Sequence, residues 1–275
     1  WVPGNGTPYM VEHYQQNVEN NSYTLAGTET KYGTTGGAIN ANDIKKEYQG
    51  FDYVSMDPDP ATIAANGSTV VKLYYKRKTY QVDFRVDGLG GTISAAVTGG
   101  TISGSPVTVK HGGSVTFTAT PDDGYAVDSW TGATVDTSNN KKATLSNVSA
   151  DTTVRVRFKK VYTVKFKVVD GKGGQLQGSY GGLTKIATGG NTEEFTSVSH
   201  GTTVEFTATP DFGWKVEGWT LNNESVSGTN VNYTSPGIAE NTIVTVEFKK
   251  VEAVAGSNNL AWQLLKKVVD IADNN

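Results

Sequence analysis

The sequence predicts a mainly β protein made of small modules in tandem, with a short α-helix at its C-terminal end. Three observations carry this. The composition is that of short strands joined by turns, since 275 residues include 32 Gly and 13 Tyr beside many Thr and Val. One thirteen-residue sentence is spelled twice, as "TATPDDGYAVDSW" from Thr118 and "TATPDFGWKVEGW" from Thr207. Around both copies alternate residues are apolar, which is the period of a strand with one buried face.

The repeat extends well beyond that sentence. His111 and His200, Phe117 and Phe206, Pro121 and Pro210, and Trp130 and Trp219 all stand 89 positions apart. Upstream, "TYQVDFRVDGLGGTIS" from Thr79 answers "VYTVKFKVVDGKGGQLQ" from Val161; downstream, "TTVRVRFKK" from Thr152 answers "TIVTVEFKK" from Thr242. The closing segment occurs a third time, as "STVVKLYYKR" from Ser68, so the first residues form a related but divergent module. The boundaries expected are 1–78, 79–160 and 161–250, with a tail at 251–275. Only one or two residues separate a closing strand from the next opening strand, as in "FKKVYTV" from Phe158 to Val164. A flexible linker would be rich in Gly and Ser, so an elongated array with restricted hinges is expected.

Each element follows from its pattern. Closing strands turn Val71, Leu73 and Tyr75, Val154, Val156 and Phe158, and Val244, Val246 and Phe248 inward; opening strands do the same with Tyr80, Val82, Phe84 and Val86, and with Tyr162, Val164, Phe166 and Val168. His13 aligns with Phe84 and faces the interior of its module. "VDGLGG" and "VDGKGG" read as hairpin turns; no helix follows them, and the spacing of a phosphate-binding loop is missing. In the repeated sentence, Val115, Phe117 and Ala119 face inward, Pro presets a turn, and Gly124 or Gly213 supplies the positive φ that returns the chain as a hairpin. The returning strand is expected to bury Tyr125 or Trp214, Val127 or Val216, and Trp130 or Trp219. A buried aromatic contributes about 2–3 kcal/mol of apolar transfer free energy, enough to explain the recurrence without chemistry. The tail differs: "NNLAWQLLKKVVDIAD" places Leu260, Ala261, Leu264, Leu265, Val268, Val269, Ile271 and Ala272 at helical spacing, with Asn258 or Asn259 as N-cap.

Several function classes fall away. A net charge of −3 with no basic block argues against nucleic acid as a partner. Without cysteine there are no disulfides and no thiolate chemistry. No run of about 18 apolar residues spans a bilayer, and Trp1 in place of an initiator Met marks a fragment or processed form whose targeting signals lie elsewhere. His111 and His200 sit in turns beside glycine, with no nucleophile motif nearby, and read as structural, so no catalytic residues are assigned. Asp57 and Asp59 in "SMDPDPAT" lack calcium-loop spacing, so neither a metal nor any other cofactor is expected. Outward-facing strand lysines argue against Lys–Asn isopeptide bonds, and Lys-rich edge strands such as "VKLYYKRK" are read as protection against edge-to-edge aggregation. Tyr32, Tyr48, Tyr53 and Tyr74 in the first module are the candidates for a carbohydrate-stacking platform.

A family resemblance emerges from these residues. "PYMVEHYQQNVENNSYTLAGTETKYGTTGG", "YQGFDY" and "TIAANGSTVVKLYYKRKTYQV" resemble the mucin-binding-protein and internalin B-type repeats of Gram-positive surface proteins. The two later modules, with "GGT" or "GGQ", "HG", "VTFTATPDDGYAVDSW" and a terminal "RFKK" or "EFKK", resemble the divergent B-repeats of the same proteins. The resemblance implies three tandem β-grasp-like modules, an extracellular bacterial cell-surface location and no enzyme activity; the chain is expected to be monomeric. It implies a stalk that presents a distal domain or, alternatively, an adhesin module for a host glycan, mucin or surface protein, acting mainly through the first module.

Overall fold

The structure is a computed structural model that describes residues 4–98, 102 and 104–252. The expected C-terminal helix lies outside the described residues. Among those described, strands dominate and the one α-helix is a single turn. The chain divides into two compact units, residues 1–122 with 127–158, and 123–126 with 159–275.

The first unit begins with β1 (Asn5–Gln16), β2 (Tyr23–Thr34), β3 (Ala38–Ile39), α1 (Ala41–Ile44), β4 (Phe51–Asp57), β5 (Ala61–Thr62) and β6 (Val70–Arg77). Four of these strands form a mixed sheet in the order β2-β1-β6-β4. At its centre β1 and β6 run parallel, with Val11 beside Val71 and His13 beside Leu73. A parallel pair needs a crossover, which is what the segment holding α1 and the small β3-β5 pair provides. The Asn40 side chain caps α1 by accepting from the Asn42 N–H at 2.9 Å. Val11, Val71, Leu73 and Tyr75 meet Ile39, Ile44, Phe51 and Ile63 in the core. This is the strand order of a β-grasp frame with its helix reduced to one turn.

The same frame recurs further along the unit. β7 (Thr79–Val86), β8 (Gly91–Thr98), β9 (Val107–Lys110), β10 (Ser114–Pro121), β11 (Tyr125–Thr131), β12 (Thr134–Val135) and β13 (Lys142–Leu145) lead into β14 (Thr152–Val168). β9 pairs with β7, β7 runs parallel to the first half of β14, and β11 pairs with β14. A second sheet, β12-β13-β10-β8, takes the place of the grasp helix. Val115 and Phe117 from it share a core with Val82, Phe84, Val107 and Val154 of the first.

In the second unit a 3₁₀ turn (Val169–Gly171) precedes β15 (Gly174–Tyr180), β16 (Leu183–Ala187), β17 (Thr192–Ser199), β18 (Glu205–Pro210), β19 (Trp214–Leu221), β20 (Glu224–Ser227), β21 (Asn232–Thr234) and β22 (Thr242–Lys250). The second half of β14 pairs antiparallel with β17 and parallel with β22, which pairs with β19. The opposing sheet is β16-β15-β18-β21. Phe166, Phe195, Phe206, Leu176, Val244 and Trp219 fill the space between.

Five readings are corrected. "VKLYYKRK" is not an edge strand, since β6 lies between β1 and β4. The repeated sentence does not form a hairpin: β10 and β11 belong to different sheets, and so do β18 and β19. The turn itself is real, for Trp214 N–H donates to the Asp211 carbonyl at 3.0 Å and Gly124 and Gly213 adopt φ of 77° and 79°. It is a corner that carries the chain across the core, because Phe117 and Phe206 must face the central sheet from opposite it. "VDGLGG" and "VDGKGG" are corners as well, since β8 and β15 join the second sheets. The two kinds of corner are tied together by Asp122 N–H on the Gly90 carbonyl and Asp211 N–H on the Gly173 carbonyl, each at 2.9 Å. The interval expected between closing and opening strands at Phe158–Val164 is absent, because β14 is one strand. Finally, register puts His13 beside Leu73, the place that Val86 holds beside Val156, so its match to Phe84 is displaced by two residues. Two residues are one strand period, and the inward direction is unaffected.

Candidate functional site

The four candidate tyrosines separate onto different surfaces. Tyr75, which faces inward, draws Tyr48 and Tyr53 against it with ring centroids at 4.9 and 5.9 Å, and both are half-buried at the edge of the core. Tyr74 points the other way. It stacks on Tyr14 at 5.4 Å and meets the edge of Tyr23 at 5.2 Å, with the Lys72 ammonium 5.9 Å from the Tyr14 ring. Tyr32 is 69% exposed on β2. Sequence reasoning missed Tyr14 and Tyr23. The parallel pairing of β1 and β6, which sets Tyr14 beside Tyr74, is the signal that finds the first of them.

Behind Tyr75 lies a polar network. The Tyr75 hydroxyl accepts from the Lys46 backbone N–H at 3.0 Å, so its own proton is assigned to His13 Nδ1, also 3.0 Å away. His13 Nε2 then carries the hydrogen toward Glu29 Oε1 at 3.3 Å, and Lys46 Nζ pairs with Glu29 at 3.0 Å. Burial pushes the imidazole below the usual histidine range against the pull of Glu29. Burial would raise the Glu29 carboxyl, but hydrogen bonds from Lys46 and His13 hold it below its usual value. Every member has a partner, and the network closes one side of the core.

A second cluster joins the first module to the next within the first unit. Arg77 Nε donates to the Gln16 carbonyl at 2.6 Å and Nη1 to the His111 carbonyl at 2.9 Å, while its guanidinium lies 4.7 Å from the Phe51 ring centre. Lys110 Nζ reaches the Asn20 carbonyl at 2.6 Å. His111 N–H donates to the Lys78 carbonyl, and Lys78 N–H to the Gly50 carbonyl. The His111 ring fills the space over Gly50 so closely that a Cβ there would stand 2.0 Å from it. This histidine is therefore a fitted wedge; its buried Nδ1 has no hydrogen-bond partner among the described residues. His200, at the matching turn, is exposed, with Nδ1 3.5 Å from the Tyr162 hydroxyl.

Shallow clefts mark the mouths of the central parallel pairs. In the second unit one of about 360 Å³ is lined by Thr163, Lys165, Glu194, Asn222, Asn241 and Ile243. Its counterpart in the first unit includes Gln81, Asp83 and Asp151. Asn241 and Asp151 are already engaged there, accepting from the Thr163 and Gln81 backbone N–H groups at 2.9 and 2.8 Å. Asp57 closes β4 and Asp59 follows it. Among the described residues no three His, Asp or Glu side chains converge as a metal site, and no helix is long and apolar enough to cross a membrane.

Frame, corners and joint together define a tandem β-repeat protein with β-grasp-like modules. The family model described as the divergent InlB B-repeat domain matches residues 91–162 and 182–252, more than half of the chain, and the chain belongs to that family. No curated protein matches it in sequence. Among solved structures, it is similar to the Bacillus anthracis TIE protein at 10% identity, covering 90% of this chain and 51% of that one with a TM-score of 0.32. The pilus adhesin SpaC from Lactobacillus rhamnosus GG, in its open conformation, is 9% identical over 90% of this chain and 44% of that one, with a TM-score of 0.34. Mub-RV is 10% identical over 90% of this chain and all of its own, with a TM-score of 0.25. The chain thus spans about half the length of the first two.

Proposed function

We propose that this chain is a non-enzymatic repeat region of a bacterial cell-surface protein, acting as a stalk of three modules at 1–78, 79–160 and 161–250 that holds another domain away from the envelope. The observation that carries this reading is the joint around Arg77 and His111. A spacer needs fixed angles between its modules, and side chains that bind carbonyls across a one-residue connection supply them where a flexible linker would not. The repeated residues support the same reading, because Pro121, Gly124, Trp130 and their counterparts serve corners and cores. The test is a distance distribution between spin labels placed in the first and second modules. A narrow distribution that broadens in Arg77→Ala supports the stalk; a broad one in the unaltered chain refutes it.

A second reading, an adhesin module for a host glycan, mucin or surface protein, is favoured by the outward cluster of Tyr14, Tyr23 and Tyr74, whose rings offer stacking surface. Binding of the folded chain to a glycan and mucin array is its measure. Saturable binding that Tyr74→Ala abolishes would establish it, and silence across the array would leave the stalk alone.

A further inference from the structure

β2 is the outermost strand of the first sheet, so among the described residues one side of its backbone is unpaired. Sheet edges of this kind are ordinarily blunted by proline, bulges or inward-pointing charge. Over twelve residues β2 contains no proline, and its single lysine, Lys31, is already paired with Glu29 at 3.6 Å. Its register with β1 shifts at Ala26, beyond which Tyr23–Leu25 still pair, and again beside Gly33. Between them Gly27–Gly33 pairs without interruption with Thr7–His13. This regular stretch is centred on Thr30.

We propose that two copies of this chain join antiparallel through their β2 edges, with Thr30 on the two-fold axis. Symmetry about Thr30 sets Glu29 of each copy opposite Lys31 of the other, so unlike charges meet twice. It also sets Thr28 opposite Tyr32, a β-branched residue against an aromatic, and Gly27 opposite Gly33, where no side chain obstructs. Each is a favourable or neutral cross-strand pair. Thr28, Thr30 and Tyr32 share the exposed face of β2, so Tyr32 gains a neighbour that the single chain does not give it. Two other edges fail this test. Pairing β16 with itself about its centre would set Lys185 against Lys185, and β4 carries a bulge between Tyr53 and Ser55 with Asp52 and Asp57 near its ends. The pairing differs from the monomer expected from sequence and does not depend on whether the chain is a stalk or an adhesin.

The chain has no cysteine, so one introduced thiol reports on one position. Directly opposed antiparallel residues have Cα atoms about 4.5 or 5.5 Å apart, within disulfide reach. Thr30→Cys is expected to cross-link into a dimer on mild oxidation, while Thr28→Cys and Thr34→Cys, which would face Tyr32 and Ala26, do not. Sedimentation equilibrium of the unaltered chain should rise from 29.3 kDa toward twice that mass with concentration. Thr30→Lys, which opposes two ammonium groups on the axis, and Lys31→Glu, which opposes carboxylates, should abolish the rise with the circular dichroism spectrum unchanged. A mass fixed at 29.3 kDa up to the solubility limit, with Thr30→Cys cross-linking no faster than Thr34→Cys, overturns the proposal. Undiminished dimerisation of Lys31→Glu also overturns it, because the charge register would then be wrong.

Discussion

Trp130 and Trp219 hold the same place in the same repeated sentence and meet different fates. Both indoles are pinned alike, Trp130 Nε1 donating to the Asn140 carbonyl at 2.8 Å and Trp219 Nε1 to the Asn230 carbonyl at 2.7 Å. Yet Trp219 is 1% exposed, while Trp130 is only half-buried. The cause lies outside the sentence. Phe206 stands opposite Tyr233 on β21, and that ring lies 5.6 Å from Trp219; Phe117 stands opposite Ala143 on β13, whose methyl group leaves Trp130 uncovered. A repeated signature therefore fixes where an aromatic is anchored, and its cross-strand neighbour fixes how far water is excluded.

The largest effect expected from this contrast is in Trp219→Ala. Removing a fully enclosed indole costs about 3–5 kcal/mol, enough to unfold the second unit. NMR spectra should show the second-unit resonances collapse while those of the first module persist. Equal loss in both places would mean that the units do not fold separately. Next comes Gly178→Ala. Gly178 stands opposite Phe206, and an added Cβ would lie 2.8 Å from the Phe166 ring and 3.0 Å from Phe195, for a cost of about 1–3 kcal/mol. Ala95 already occupies the matching place opposite Phe117. The reverse change, Ala95→Gly, should therefore cost only about 0.5–1 kcal/mol, through backbone entropy. Trp130→Ala falls between these, at about 1–2 kcal/mol for a half-buried ring, read from the shift in urea midpoint. A loss as large as that of Trp219→Ala would break the comparison.

Much of this fold was legible in the sequence because period-2 alternation is a local property. Val71, Leu73 and Tyr75 are all buried, as are Val154, Val156 and Phe158. What could not be read was pairing. A strand, a Pro-Asp turn and a second strand spell a hairpin and a sheet-to-sheet corner identically, and the bond that distinguishes them, Asp122 to Gly90, spans distant positions. The tyrosine face suffered from the same limit. Tyr74 was recognisable as outward-facing, but its neighbours Tyr14 and Tyr23 come from strands whose order is set by the crossover, and Tyr48 and Tyr53 gather around Tyr75 instead. His111 read as a turn residue, which it is; that its ring is the wedge of a joint depends on Gly50, sixty-one positions earlier.

The smallest predicted effect concerns pH and separates the first module from its neighbours. Its β1 carries His13 at the place where β7 has Val86 and β14 has Val168, so only this frame has a titratable group on its central parallel pair at that level. Burial lowers the His13 pKa below the ordinary value of about 6.5 that the unfolded chain retains. As pH falls through that value the unfolded state takes up a proton first, so first-module stability is complete above it and declines below it until the folded histidine also titrates. Glu29, lowered as well, adds a further loss in the carboxylate range. Urea midpoints followed by first-module NMR resonances should fall between pH 7.5 and pH 5, values chosen to bracket ordinary histidine titration. In His13→Val, which installs the residue found at that register in the other frames, the midpoint is expected to be lower at pH 7.5 but nearly flat across the interval. A midpoint that falls as steeply in the variant would assign the pH dependence to other groups and leave the His13 network a purely structural filling.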